Sequence, residues 1–105
     1  YIKNRNKIYD YIIVSVISPI LKTRLLAKSI FEKKYYEIYV KCKMSTLLKR
    51  DTKGLYKLAK AGKIKNLIGY KSKIHYEKSN YSKIIIDTDK YNIEQSSNII
   101  LKKIL

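Results

Sequence analysis

Two rhythms of hydrophobic and polar positions run along this chain. Tyr11-Ile12-Ile13-Val14-Ser15-Val16-Ile17 is continuously apolar and mostly β-branched, the pattern of a strand covered on both faces. Ser18-Pro19 ends it, because proline has no backbone donor with which to continue a ladder. A helical period follows from about Leu21 to Lys33, with Leu25, Leu26, Ser29 and Ile30 on one face. Tyr36-Glu37-Ile38-Tyr39-Val40 reads as a second strand, and a short helix around Ser45 to Lys49 turns Leu47 and Leu48 inward. Beyond Gly54, Leu55-Tyr56-Lys57-Leu58-Ala59-Lys60-Ala61 forms a basic amphipathic helix that stops at Gly62. No period is sustained from Lys63 to Ser82; that stretch reads as a long surface loop, the kind that serves as a lid or binding loop. Lys83-Ile84-Ile85-Ile86-Asp87 is a third strand. Asn92 with Gln95 matches a capping box, opening a last helix with Ile93, Ser97, Ile100 and Ile104 on one face.

Strands alternating with helices predict an α/β domain with a parallel sheet. In open sheets of this kind ligands sit beyond the carboxyl ends of the strands. Here those ends are Ile17-Ser18-Pro19, Val40 to Cys42, and Asp87-Thr88.

Composition narrows the class. The 105 residues suit one small domain, and 46% hydrophobic residues with three glycines and one proline exclude disordered, collagen-like or linker character. Apolar runs stay well below the roughly 18 residues of a membrane span, so a membrane partner is not expected. No secretory cleavage pattern is visible. Cys42, the single cysteine, excludes an intramolecular disulfide or a cysteine-based zinc site, which fits a reducing, cytoplasmic setting.

Charge adds less than its size suggests. Lys plus Arg total 24 against eight acids, a formal charge of +16, which on its face is a nucleic-acid footprint. Yet only Arg5, Arg24 and Arg50 carry the planar fork favoured for base edges and phosphate clamps, and the lysines are spread along the whole chain. The abundance of Lys, Ile, Asn and Tyr fits the codon drift of an AT-rich genome. Most of the charge is therefore a solvated surface whose field would still draw in nucleotides.

The densest signal is Arg50-Asp51-Thr52-Lys53-Gly54-Leu55-Tyr56-Lys57, continuing through Ala59, Ala61 and Gly62 to Ile64-Lys65-Asn66. With Ile17-Ser18-Pro19 before it and Asp87-Thr88-Asp89 after, it resembles the adenylyl-sulfate kinase family, C-terminal half only, in order and spacing over essentially the whole chain. The resemblance implies a P-loop-kinase-like three-layer α/β/α fold with a parallel sheet, incomplete here because the first two strands and the P-loop are missing. It implies one such half-domain over residues 1–105, with the lid loop at 63–82. The implied activity is ATP-dependent phosphorylation of adenylyl sulfate at its 3′-hydroxyl to give 3′-phosphoadenylyl sulfate (PAPS), with ATP and Mg2+ as cofactors and a homodimer when complete.

Such transfer is mostly positioning and charge neutralisation. By resemblance Ser18 and Lys53 are the catalytic candidates, with direct in-line transfer the simpler mechanism. Ile17, Ser18, Lys53, Asn66 and Leu67 fall where the family contacts adenylyl sulfate. Pro19, Arg24, Lys57 and Lys65 complete the substrate-binding candidates. Arg50, Asp87, Thr88 and Asp89 fall near the ATP base, where a guanidinium plane such as that of Arg50 can stack on adenine.

The departures are as informative. Leu67-Ile68 stands where the family has phenylalanine and threonine, and losing that ring from adenine would cost about 1–3 kcal/mol of stacking. The family's Arg-Lys-Asp-Arg is Leu21-Lys22-Thr23-Arg24, and its Ile-Asp-Ser is Tyr70-Lys71-Ser72. No Gly-x-x-x-x-Gly-Lys-Ser/Thr occurs. The family's first strand lies between the strands matching residues 11–17 and 36–40, so these residues alone are expected to be neither well folded nor active. Two alternatives stay open: a basic nucleic-acid-binding module, and a non-functional relic of the kinase. His75 reads as a surface residue and Cys42 as a small buried hydrophobe. Asp51 serves equally as a helix N-cap or near magnesium, and Tyr56 as an anchor of the lid helix.

Overall fold

The computed structural model describes residues 2, 8–64, 67, 75–80 and 84–105. In chain order they form helix α1 (Leu21–Phe31), a 3-10 turn (Glu32–Lys34), strand β1 (Ile38–Lys41), helices α2 (Met44–Arg50) and α3 (Leu55–Lys60), strand β2 (Ile84–Asp87) and helix α4 (Ile93–Ile104). β1 and β2 pair in parallel, from Ile38 opposite Ile84 to Lys41 opposite Asp87. Parallel neighbours need a crossover connection, and α2 and α3 lie within it. The alternating pattern is thus realised as a mixed α/β unit around a two-stranded parallel sheet.

Period-two burial is plain in β2. Ile84 and Ile86 are each 1% exposed while Ile85, between them, faces out. With Ala59 of α3 they are the fully buried apolar residues among those described. At α4 the capping box forms as the sequence indicates: Asn92 Oδ1 accepts from the Gln95 amide at 2.8 Å, and Gln95 Oε1 accepts from the Asn92 amide at 3.0 Å.

Four expectations need correction. In α2, Leu47 is half-buried but Leu48, expected to turn inward with it, is exposed. Residues 11–17 form no strand and join no ladder, and all seven residues are exposed, Ile13 at 90%. A strand needs a neighbour for its backbone groups, and none of the described strands pairs with this run. For α1, the expected inward face of Leu25, Leu26, Ser29 and Ile30 is exposed. The helix instead buries Arg24, flanked by half-buried Leu21, Ala27 and Phe31. In α4, Ile93 is 88% exposed and Ser97 is exposed too. The half-buried stripe is Ser96, Ile99, Ile100 and Ile104, one step round from the expected face.

Candidate functional site

The candidate residues lie after residues 11–17 and at the carboxyl ends of β1 and β2. At the first, Ser18 takes a positive φ of 38°, a conformation that a non-glycine residue adopts only under local strain. Its carbonyl accepts from Arg24 Nη1 at 2.6 Å, and its hydroxyl lies 3.4 Å from that of Thr23. Ser18 and Pro19 are half-buried and Ile17 is exposed.

Arg24 is the hub beside that turn. The sequence reading assigns it to the substrate, whereas the structure surrounds its guanidinium with protein partners. Its side chain is 6% exposed and pairs through Nε with Glu37 Oε1 at 3.2 Å, the Glu37 side chain being 7% exposed. Nη2 donates to the Glu77 carbonyl and, at 3.1 Å, to Ser79 Oγ. Ser79 donates in turn to Glu37 Oε1 at 2.7 Å. The guanidinium carbon sits 4.5 Å over the ring of Tyr76, which stacks on Tyr39 with centroids 5.0 Å apart. Residues 75–80 are therefore docked against α1 and β1, although the sequence reads 63–82 as one surface loop.

At the paired strand ends, Asp87, Thr88 and Asp89 form a turn that grips α2 at both ends. Thr88 continues the β ladder by donating its amide to the Lys41 carbonyl at 2.9 Å. Arg50, in the last turn of α2, donates to Thr88 Oγ1 at 3.0 Å and to the Thr88 carbonyl at 2.7 Å. Asp89 accepts from the Lys43 amide at 2.6 Å and from the Thr46 hydroxyl. It thereby caps α2, whose own N-cap residue, Lys43, offers no side-chain acceptor. Asp87 Oδ1 accepts from the Asp89 amide at 3.0 Å.

The Thr46 hydroxyl and the Lys43 amide, with the Lys43 and Arg50 charges adding, hold the Asp89 carboxyl below the usual aspartate value of 3.8. A depressed folded-state pKa adds stability that is fully present above the unfolded value and is lost as pH falls through the folded one. Comparing wild type with Asp89→Asn by urea unfolding, the gap in midpoint is expected to be constant at pH 6. It should shrink once pH drops below about 4.

The lid motif forms the α2–α3 corner. Asp51 Oδ1 and Oδ2 accept from the amides of Tyr56 at 3.1 Å and Lys57 at 2.9 Å, so its carboxylate caps α3. Gly54, with φ of 67°, makes the turn between the two helices. Asp51→Ala is expected to cost about 1 kcal/mol, within the usual 0.5–2 kcal/mol for a lost N-cap. Urea unfolding and the helical circular dichroism signal check it. Lys53 and Lys57 are exposed, and neither bonds through its side chain to the Ser18 turn. Leu48, Lys49, Asp51, Tyr56, Lys57 and Lys60 line an open cleft of about 350 Å³ here. Lys65 and Asn66 lie outside the described residues; Leu67 is half-buried.

Both described arginines from the candidate set thus brace the fold, and the described candidate lysines, Lys53 and Lys57, are exposed. Glu37, Tyr76, Glu77 and Ser79 escaped sequence reasoning because their partners lie many positions away. Among the described residues, no group of three His, Cys, Asp or Glu side chains could hold a metal ion, and no helix is long and apolar enough to cross a membrane.

A parallel sheet with helices in its crossover, and with polar turns gathered at the strands' carboxyl ends, is the arrangement of a partial P-loop-kinase-like α/β protein. Residues 3–87 match the family model for adenylylsulphate kinase. The chain belongs to that family. It is 41% identical over 97 residues to a "Probable adenylyl-sulfate kinase" of Halalkalibacterium halodurans, covering 90% of this chain and 45% of the relative. A protein of the same name from Archaeoglobus fulgidus is 41% identical over 78 residues, 74% of this chain and 48% of its own. The "Cytidine diphosphoramidate kinase" of Campylobacter jejuni is 38% identical over 72 residues, 69% of this chain and 41% of its own. The chain thus spans less than half the length of each of these relatives.

Proposed function

We propose that this chain supplies the acceptor-side half of an adenylyl-sulfate kinase. In the full chain, ATP would phosphorylate the 3′-hydroxyl of adenylyl sulfate to give PAPS. The observation that carries this reading is the family match across residues 3–87, which takes in the Ser18 turn, the Lys53–Lys57 corner and the Asp87 strand end together. In this assignment Ser18, with Ile17 and Pro19, presents a hydroxyl and backbone groups to the acceptor. Lys53, Lys57 and Lys65 neutralise phosphate and sulfate charge, while Asn66 and Leu67 bound the acceptor pocket. Arg50, Thr88 and the flanking aspartates form the wall beside the ATP base. Arg24 takes no substrate contact.

Phosphoryl transfer commonly uses Mg2+ bound to the nucleotide phosphates. The described residues fit that ion poorly, because Asp51, Asp87 and Asp89 already accept backbone amides and no three acidic, His or Cys side chains among them gather into a metal site. The 105 residues by themselves are expected not to turn over. Incubating the full chain with ATP and adenylyl sulfate should yield PAPS. Its absence from a folded full chain would overturn the reading.

One observation favours a second acceptor. Leu67 stands where the family places the aromatic that stacks on adenine, and one relative is named for a cytidine diphosphoramidate substrate. A higher kcat/KM for cytidine diphosphoramidate than for adenylyl sulfate in the same assay would select it. A nucleic-acid-binding module would instead show steeply salt-dependent binding to any DNA or RNA.

A further inference from the structure

We propose that Arg24 is a positioning residue that holds the strained Ser18 turn and residues 75–80 in a single clasp, so that docking of residues 75–80 sets how Ser18 is presented. The role of Ser18 rests on the kinase reading above; the clasp itself does not.

Three observations converge. Arg24 reaches both sides with one planar group, Nη1 to the Ser18 carbonyl and Nη2 to the Glu77 carbonyl and Ser79. The two segments also bind each other directly. The Glu77 amide donates to the Pro19 carbonyl at 2.8 Å, and Glu77 Oε1 accepts from the Leu21 amide at 3.0 Å, capping α1 where Ile20 cannot. Finally, Ser18 holds a positive φ, which persists only where the surroundings over-determine it. Glu37, the residue before β1, fixes the guanidinium, and Tyr76 covers its face while stacking on Tyr39 of β1, so the clasp is anchored to the sheet. A lysine cannot replace it, because an ammonium lacks the fork that serves Glu37, Ser18 and Glu77 at once.

Amide hydrogen exchange and steady-state kinetics on the full chain test this with Ser79→Ala and Arg24→Lys. Ser79→Ala removes one arm of the clasp and leaves the Arg24–Glu37 pair in place, so it keeps the test open should Arg24→Lys fail to fold. In Ser79→Ala the amides of Leu21 and Glu77 should exchange roughly tenfold faster together, while those of the β1–β2 pair and α4 are unchanged. The KM for adenylyl sulfate should rise severalfold with the KM for ATP unmoved, and Arg24→Lys should show the same signature more strongly. Unchanged exchange at Leu21 and Glu77 would overturn the clasp. Faster exchange with both KM values unmoved would reduce it to a structural brace and overturn the positioning role. Lack of turnover in the unmodified full chain would count against the kinase reading alone, since the exchange result decides the clasp without activity.

Discussion

Glu37→Ala is expected to destabilise the protein by about 3–5 kcal/mol, the usual cost of stranding one member of a buried ion pair. The Glu37 and Arg24 side chains are 7% and 6% exposed, so water cannot replace the lost carboxylate cheaply. The deletion also strips acceptors from Ser79 and from the Tyr35 hydroxyl, which donates to Glu37 Oε2 at 3.3 Å. Set against the roughly 5–15 kcal/mol that holds a typical domain together, this is a large share. Urea unfolding of the full chain measures it. Glu37→Gln, which retains an acceptor oxygen but not the charge, should fall between wild type and Glu37→Ala. Equal stability of wild type and Glu37→Ala would mean that the pair is solvated in solution.

Lys53→Ala is expected to lower kcat/KM for adenylyl sulfate by about 10²–10³, the range for removing one group that stabilises developing charge. The prediction rests on the kinase reading and on where Lys53 stands. It is exposed in the turn between α2 and α3, and Gly54 and the Asp51 cap fix that turn without using its side chain. Removing the ammonium should therefore leave urea stability within about 0.5 kcal/mol of wild type, as for surface changes elsewhere. Steady-state kinetics beside an unfolding curve separates the two effects. Unchanged turnover would remove Lys53 from the site.

The acids of this basic chain explain much of its local order. Of eight acidic residues, five bond within the fold: Glu37 to Arg24, Asp51 to the start of α3, Glu77 to the start of α1, Asp89 to the start of α2, and Asp87 to the Asp89 amide. Three of them approach helix N-termini, where backbone amides and the helix dipole favour negative charge. A surplus of sixteen positive charges leaves few carboxylates for anything else.

How far the fold could be read in advance depended on the range of the forces involved. The Asn92–Gln95 capping box and the Gly54 turn act within a few residues, so the order of side chains alone determines them, whereas three consecutive isoleucines in β2 do not say which faces inward. The helices, both β strands and the parallel α/β class follow from the same local periods. Tertiary structure decided what depends on a distant partner. Residues 11–17 have the apolar run of an interior strand, but a ladder needs a neighbour, and here none of the described strands provides one. Arg24 reads as a surface cation for a substrate until Glu37, Tyr76, Glu77 and Ser79 close around it from up to 55 positions away. Arg50 and Asp89 likewise acquire their roles only when β1 and β2 pair and bring the Thr88 turn over α2. Local backbone and capping preferences are written into neighbouring residues; the burial of a charge is settled only by which segments of the chain meet.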